Sequence, residues 1–261
     1  MLPLWENTAY LVTVGVMFGL TIGSFLNVVI YRVPNNLSIV KPDSHCPICK
    51  TPIAWYDNIP LISWLILGAK CRHCHTHISA RYPLIEGVTG LGWGLAFGLL
   101  PLPQALLFVL MYSALIAIAL IDLEHWVVPL SLVITLLVGD VLAVWFNLIH
   151  WQVALKGVIG IAVLMIFIQA FTWLLRKEFG LGWGDVQLAV VLSLWLGLEL
   201  SLLGMFFAAL IAILVWLVQS RKASFSWDRK IQFGPYLAIA AIILGFLRVY
   251  DPAVLEKLLF P

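Results

Sequence analysis

From Thr8 to Tyr31 the chain runs without a charged residue, and further apolar stretches follow it. About 20 apolar residues in an α-helix cross the hydrocarbon of a bilayer, where each backbone polar group must be satisfied inside the segment. The later stretches are Leu84–Leu100, Ala105–Ile121, Ser131–Ile149, Val153–Leu175, Val186–Leu200, Leu202–Gln219 and Pro235–Tyr250. They predict an all-α polytopic membrane protein of about eight transmembrane helices. The composition agrees: 62% of residues are hydrophobic and 11% charged, against about 45–50% and about 25% in soluble domains. A soluble globular core is excluded on that ground. The expected surroundings are a lipid bilayer, and no nucleic-acid partner is expected. The tightest joints, at "PLPQ" and near Glu199–Ser201, read as helical hairpins. The start, "MLPLWENTAY", lacks the basic region of a cleaved signal peptide, so none is expected.

Placement of the basic residues orients these spans. Arg32, Lys41, Lys50, Lys70, Arg72 and Arg81 fall in segment 32–83, and Arg176 and Lys177 in 176–185. Arg221, Lys222, Arg229 and Lys230 fall in 220–234, so most of the 15 Lys and Arg residues lie on one side of an eight-span protein. By the positive-inside rule that side is the cytoplasm. Removing one span would scatter the clusters over both sides, so charge supports the count independently of hydropathy.

Segment 32–83 holds all four cysteines, as "CPIC" (Cys46, Cys49) and "CRHC" (Cys71, Cys74). Two such turns each aim a pair of sulfurs at one point, the pattern of a tetrathiolate zinc site. The 21 residues between the pairs run just past the spacing of about 15–20 usual for such sites. His45, His73, His75 and His77 are substitute ligands in principle, and disulfides or idle thiols are the alternatives. Cytoplasmic thiols stay reduced, which favours metal. Four thiolates leave no open coordination position, so the metal is read as structural. Within this loop "IPLISWLILG" (59–68) is too short to span, and either packs on the cysteine turns or lies at the membrane interface. The expected organisation is a first transmembrane helix (1–31), a cytoplasmic zinc-ribbon-like loop domain (32–83) and a seven-helix membrane domain (84–261).

Few acids remain in or beside the spans: Glu86, Asp122, Asp140 and Asp185. A carboxylate at the centre of a membrane helix costs roughly 2.5–3.5 kcal/mol and marks a candidate functional site. Asp122 and Asp185 sit at span ends that the topology puts on the same side. Two carboxylates brought to within about 3 Å cannot both ionise, so one keeps a proton while the other activates water. Helix-boundary acids in the headgroup zone are the plain alternative. Asp140 falls mid-span, and pairing with a neighbouring polar group or water accounts for it.

The ordered motifs resemble the prepilin peptidases, membrane aspartic proteases of type IV pilus and type II secretion systems. "GSFLNVVIYRVP" (23–34), the cysteine loop through "ISARYPLIE", "IDLEHWVVP" (121–129), "GLGWGD" (180–185) and "FGPYLA" (233–238) follow that family's order along nearly the whole chain. The resemblance implies catalytic Asp122 and Asp185, with the family's Gly-x-Gly-Asp falling on Gly182, Gly184 and Asp185. Glycines there admit a substrate backbone to the acid. Gln187 and Leu130 stand where Lys and Asp are common in the family, departures expected to tune the site.

What the resemblance further implies is a reaction. The basic leader of a prepilin or pseudopilin is cut off at the cytoplasmic face of the bacterial inner membrane. The new N-terminal amine is then methylated from S-adenosylmethionine. No nucleotide-binding glycine loop is evident for that second step, and Glu86, in "RYPLIE", is a weak candidate contributor. A proton-coupled transporter relaying protons through Asp122, Asp140 and Asp185 is the rival reading, but no inverted repeat supports it. A non-enzymatic assembly scaffold gives no reason for the boundary acids.

Overall fold

A computed structural model describes residues 7–222 and 231–250. Arg229 and Lys230 of the third basic cluster, and most of the start searched for a leader, lie outside the described residues. Helices α1 (Thr8–Arg32), α2 (Ile62–Ile66), α3 (Arg81–Leu99) and α4 (Leu102–His125) are followed by α5 (Leu130–Trp145), α6 (Trp151–Arg176), α7 (Trp183–Lys222) and α8 (Gly234–Tyr250). There is no strand among the described residues, only isolated bridges at His45–Pro52 and Lys70–His77. The protein is an all-helical membrane protein. Helices α1, α4, α6 and α7 are long and apolar enough to cross a membrane, and α5 and α8 are shorter apolar helices.

The chain forms two compact units, Met1–Val109 and Leu110–Pro261. In the first, the Asn7 side chain caps α1 by accepting from the N–H groups of Ala9 and Tyr10. Helices α1 and α3 then meet along facing glycines. A Cβ on Gly19 would stand 2.9 Å from the Gly90 Cα, too close for any side chain. Gly15, Gly19 and Gly23 on one helix and Gly90, Gly94 and Gly98 on the other repeat every fourth residue. Lipid is as apolar as leucine, so association inside a bilayer depends on this close backbone approach. Arg32, in the last turn of α1, donates to the carbonyls of Ser38 and Pro42 and so fixes where the chain leaves the helix.

The second unit is organised on α7, which packs against α5, α6 and α8. Where the sequence predicts a hairpin joint near Glu199–Ser201, the structure has a kink in α7 at Gly197, whose φ is 75° and ψ 179°. That backbone region belongs essentially to glycine. Ser201 remains helical, its hydroxyl donating to the Gly197 carbonyl. Counting the two segments of α7 separately, each of the eight apolar stretches falls on a helix, though the fourth runs past the end of α5 at Trp145. Residues facing away from the packed helices are large and apolar, such as Ile166 and Phe167 on α6, as a lipid-facing surface requires.

Candidate active site

Asp122 lies in the last turn of α4, one residue beyond the expected end of its span, and is buried. The helix stops because Trp126 takes a left-handed φ of 59°, with its N–H donating to the Asp122 carbonyl. Pro129 then blocks any continuation. The side-chain amide of Gln232 donates to the carbonyls of Asp122 and Leu123 at 2.8 and 3.1 Å. Both carbonyls belong to the last turn of the helix, where intrahelical donors run out.

Asp185 lies in the first turn of α7. Its glycine-rich approach is fastened to α6 by Gln169, a buried polar residue in a mostly apolar helix. The Gln169 amide donates to the Leu181 carbonyl at 2.8 Å and accepts from the Leu181 N–H at 3.3 Å. Thr172 accepts from the Gly180 N–H. Gly184 is in turn pressed against the segment leaving α4, where a Cβ would fall 2.8 Å from the Val128 Cβ. Gly182 is exposed beside the acid.

The two carboxyl groups converge on one residue. A Cβ added to Gly234 would stand 2.6 Å from Asp122 Oδ2 and 3.2 Å from Asp185 Oδ1. The two oxygens are therefore no farther apart than the sum of those distances. Each is buried and has no hydrogen-bond partner among the described residues. Gly234 opens α8 inside the "FGPYLA" motif, with Pro235 following where a helix start needs no N–H. Two carboxyl groups with free oxygens facing one small gap can hold a proton between them and present both an acid and a base to a bound water. Gln187, two residues on from Asp185, is exposed.

Other expected site residues fall elsewhere. Asp140 is fully buried in α5, with neither oxygen partnered among the described residues. Glu86 is buried in α3, where its Oε2 accepts from the Leu61 N–H at 2.8 Å. Leu61 holds a left-handed φ of 59° at the start of α2, so Glu86 steadies a strained turn there. Segment 59–68 contains helix α2. Trp64 packs inward and donates to the Ile78 carbonyl, whereas Leu65 and Ile66 are exposed.

The four cysteines are free thiols, and their sulfurs lie within 4.8 Å of one another. Cys46 Sγ is 3.7 Å from Cys74 Sγ, and Cys49 Sγ is 4.0 Å from Cys71 Sγ. Sulfurs about 2.3 Å from a tetrahedral ion stand about 3.8 Å apart, so the cluster fits a metal without rearrangement. Two matching turns build it. Cys46 donates its N–H to Thr51 and accepts from Lys50, and Cys71 does the same with Thr76 and His75. Lys50 and His75 both take positive φ. Hydrogen bonds from Thr51 hold the Cys49 thiol down at about 6, and backbone N–H groups of Cys74 and His73 lower that of Cys71. Cys74, by contrast, is pushed up to about 11 by burial and the neighbouring sulfurs, so a metal bound by all four sulfurs would displace a proton there. None of the four loop histidines joins the cluster. Arg72 pairs with Asp57 through two hydrogen bonds, tying the 3-10 turn Trp55–Asn58 to the second cysteine turn and holding the Asp57 carboxyl below its usual range.

Comparison with known proteins completes the description. Residues 17–99 match the model of the bacterial peptidase A24 N-terminal domain, and residues 109–217 that of the type IV leader peptidase family. A prepilin leader peptidase/N-methyltransferase of Aeromonas hydrophila is 35% identical, over 87% of both chains. The chain belongs to the type IV leader peptidase family. A type 4 prepilin-like proteins leader peptide-processing enzyme of Escherichia coli is 36% identical, over 91% of this chain and 93% of its own. A prepilin leader peptidase/N-methyltransferase of Myxococcus xanthus is 40% identical over 78% of this chain, an alignment that spans 63% of that longer relative. No solved structure gives a significant match.

Motif order along the sequence singled out Asp122, Asp185 and the cysteines, and the structure brings the two acids together and the four sulfurs together. Gly234, Gln232 and Gln169 were not singled out. Gln169 carried a signal, as an amide inside an apolar run, and so did Gly234, as a glycine directly before a helix-opening proline.

Proposed function

We propose that this chain is an aspartic endopeptidase of the inner membrane that removes the basic leader of prepilins or pseudopilins at the cytoplasmic face. The observation that carries this reading is the convergence of Asp122 Oδ2 and Asp185 Oδ1, both buried and unpartnered among the described residues, on Gly234. In the reaction one carboxylate takes a proton from water as its oxygen attacks the scissile carbonyl. The other, protonated, gives its proton to the carbonyl oxygen. Collapse of the tetrahedral intermediate returns that proton through the pair to the leaving amine. Gly182 and Gly184 flank the acid on the side where a substrate backbone approaches, and Trp126 and Trp183, both exposed, suit a headgroup-level surface.

The names of the relatives support a second step, methylation of the freed amine. S-adenosylmethionine, when bound, would supply the methyl group from its sulfonium to the amine nitrogen and leave as the thioether, with one proton released. Glu86 is the candidate side chain for that step, with the Leu61 amide orienting its carboxyl group. Zinc is the ion proposed for Cys46, Cys49, Cys71 and Cys74, holding the loop domain together. Family membership removes the ground for a proton-coupled transporter. The deciding test replaces Asp122 or Asp185 with Asn: folded, membrane-inserted protein that no longer cuts prepilin is expected, and retained cutting by either variant refutes the pair.

A further inference from the structure

Helix α2 turns an apolar face outward. Ile62, Leu65 and Ile66 are 53, 69 and 76% exposed, and their spacing puts all three on one side of a helix. The other side is committed to the loop. Ser63 accepts from the Ile59 N–H and donates to the Tyr56 carbonyl, and the Trp64 ring N–H donates to the Ile78 carbonyl. No charged residue occurs between Asp57 and Lys70. A surface in water rarely gathers aliphatic side chains in this way unless something binds there.

What covers the face follows from the depth at which α2 is held. Leu61, directly before the helix, donates its N–H to Glu86 Oε2 at 2.8 Å, and its side chain reaches 4.0 Å from where a Gly87 Cβ would stand. Glu86 in turn lies against α1, where a Cβ on Gly23 would be 2.7 Å from the Glu86 Cα. Gly23 is more than two turns inside the end of α1 at Arg32, about 13 Å along the axis. It belongs to the stretch that carries no charge from Thr8 to Tyr31. Leu61 is thus anchored beside the apolar part of α1, a side chain's length from Glu86. At that level the medium outside the helices is lipid. The bordering residues agree. Trp55, 81% exposed, opens the turn that Ser63 ties to α2, and Lys70 is exposed where the uncharged stretch ends. An amphipathic indole and a long cationic side chain are what the headgroup layer accepts.

We propose that α2 is an interfacial helix. It is seated in the bilayer leaflet at the Arg32 end of α1, with Ile62, Leu65 and Ile66 against the acyl chains of phospholipid. Its 5 residues are far too short to cross a bilayer, but an amphipathic segment can bury its apolar face at the boundary of headgroups and chains. The seat gives the cysteine loop a third attachment to the membrane, beside the two helices between which it is strung. It keeps the loop lying against the lipid surface. The proposal rests on the membrane placement of α1 and is independent of the Asp122–Asp185 pair.

The test places a fluorescent residue, in separate full-length proteins, at Ile62, Leu65 and Ile66. Each protein is reconstituted into vesicles of phosphatidylethanolamine and phosphatidylglycerol. Quenching is then compared for aqueous iodide and for lipids that carry a nitroxide either near the headgroup or at the chain end. Unchanged circular dichroism and thermal unfolding identify the labelled proteins that keep the fold, and three positions secure a reading where one label disturbs the loop. The expected result is strongest quenching by the shallow nitroxide, less by the deep one, and several times less by iodide. Strong quenching by iodide with little from either lipid places the face in water and overturns the proposal. Strongest quenching by the deep nitroxide overturns the interfacial seat. Little quenching by any of the three shows a face covered by protein, whether a second copy or another part of this chain, and overturns it equally.

Discussion

Gly234 is the residue on which the site turns. Its missing side chain is the space in which Asp122 and Asp185 meet, and the nearer carboxyl oxygen stands 2.6 Å from where a Cβ would begin. Gly234→Ala therefore has to push Asp122 or α8 aside. The expected outcome is a loss of prepilin cleavage on the order of a hundredfold, with membrane insertion and metal content unchanged, as read by a cleavage assay beside metal analysis. Wild-type cleavage in Gly234→Ala would mean that the carboxyl groups do not need this approach. At this scale the sequence was half legible. Acids at the ends of apolar runs stand out because burying charge in lipid is expensive. A glycine stands out only after its neighbours are known, since the reason for it is an atom that is absent.

Among the elements, the cysteine loop makes the most direct prediction. Its two turns share one hydrogen-bond pattern and bring four sulfurs to tetrahedral spacing. The purified protein is expected to contain about one zinc per chain. Cys46→Ser or Cys71→Ser should lose it and lower the folded yield, with less effect on cleavage per folded molecule, because the metal supports the loop and leaves the cutting to the acids. Full zinc in both variants would remove the tetrathiolate site. The spacing of the cysteines made this element readable, since two short turns each aim a pair of sulfurs at one point. The break in α7 was harder to place. Glu199 and Ser201 are the polar residues of the stretch and drew the expected joint to themselves, but Ser201 stays helical by bonding back to Gly197. Backbone geometry put the interruption at the one residue that tolerates a φ of 75°.

For the whole molecule, hydropathy placed the helices before any contact was known, because a bilayer forces backbone groups to pair within each span, and the placement of the basic residues predicts their orientation. Which helices touch was not legible: glycine seams such as Gly19 against Gly90 read in sequence only as frequent small residues. The orientation predicts that single cysteines introduced at Pro101 or Glu199 react with an impermeant thiol reagent outside intact cells, and that one at Gly180 does not. Labelling at Gly180 would place the glycine-rich approach, and Asp185 with it, on the wrong side for a cytoplasmic leader. The central claim is that Asp122 and Asp185 act as one proteolytic pair, and mass spectrometry of the N-terminus of a co-expressed prepilin tests it most directly. With the wild-type chain the leader should be gone and the new amine methylated, whereas with Asp122→Asn or Asp185→Asn, present in the membrane at normal levels, the prepilin should keep its full leader. A processed N-terminus in cells carrying either Asn variant as the sole peptidase would contradict the account.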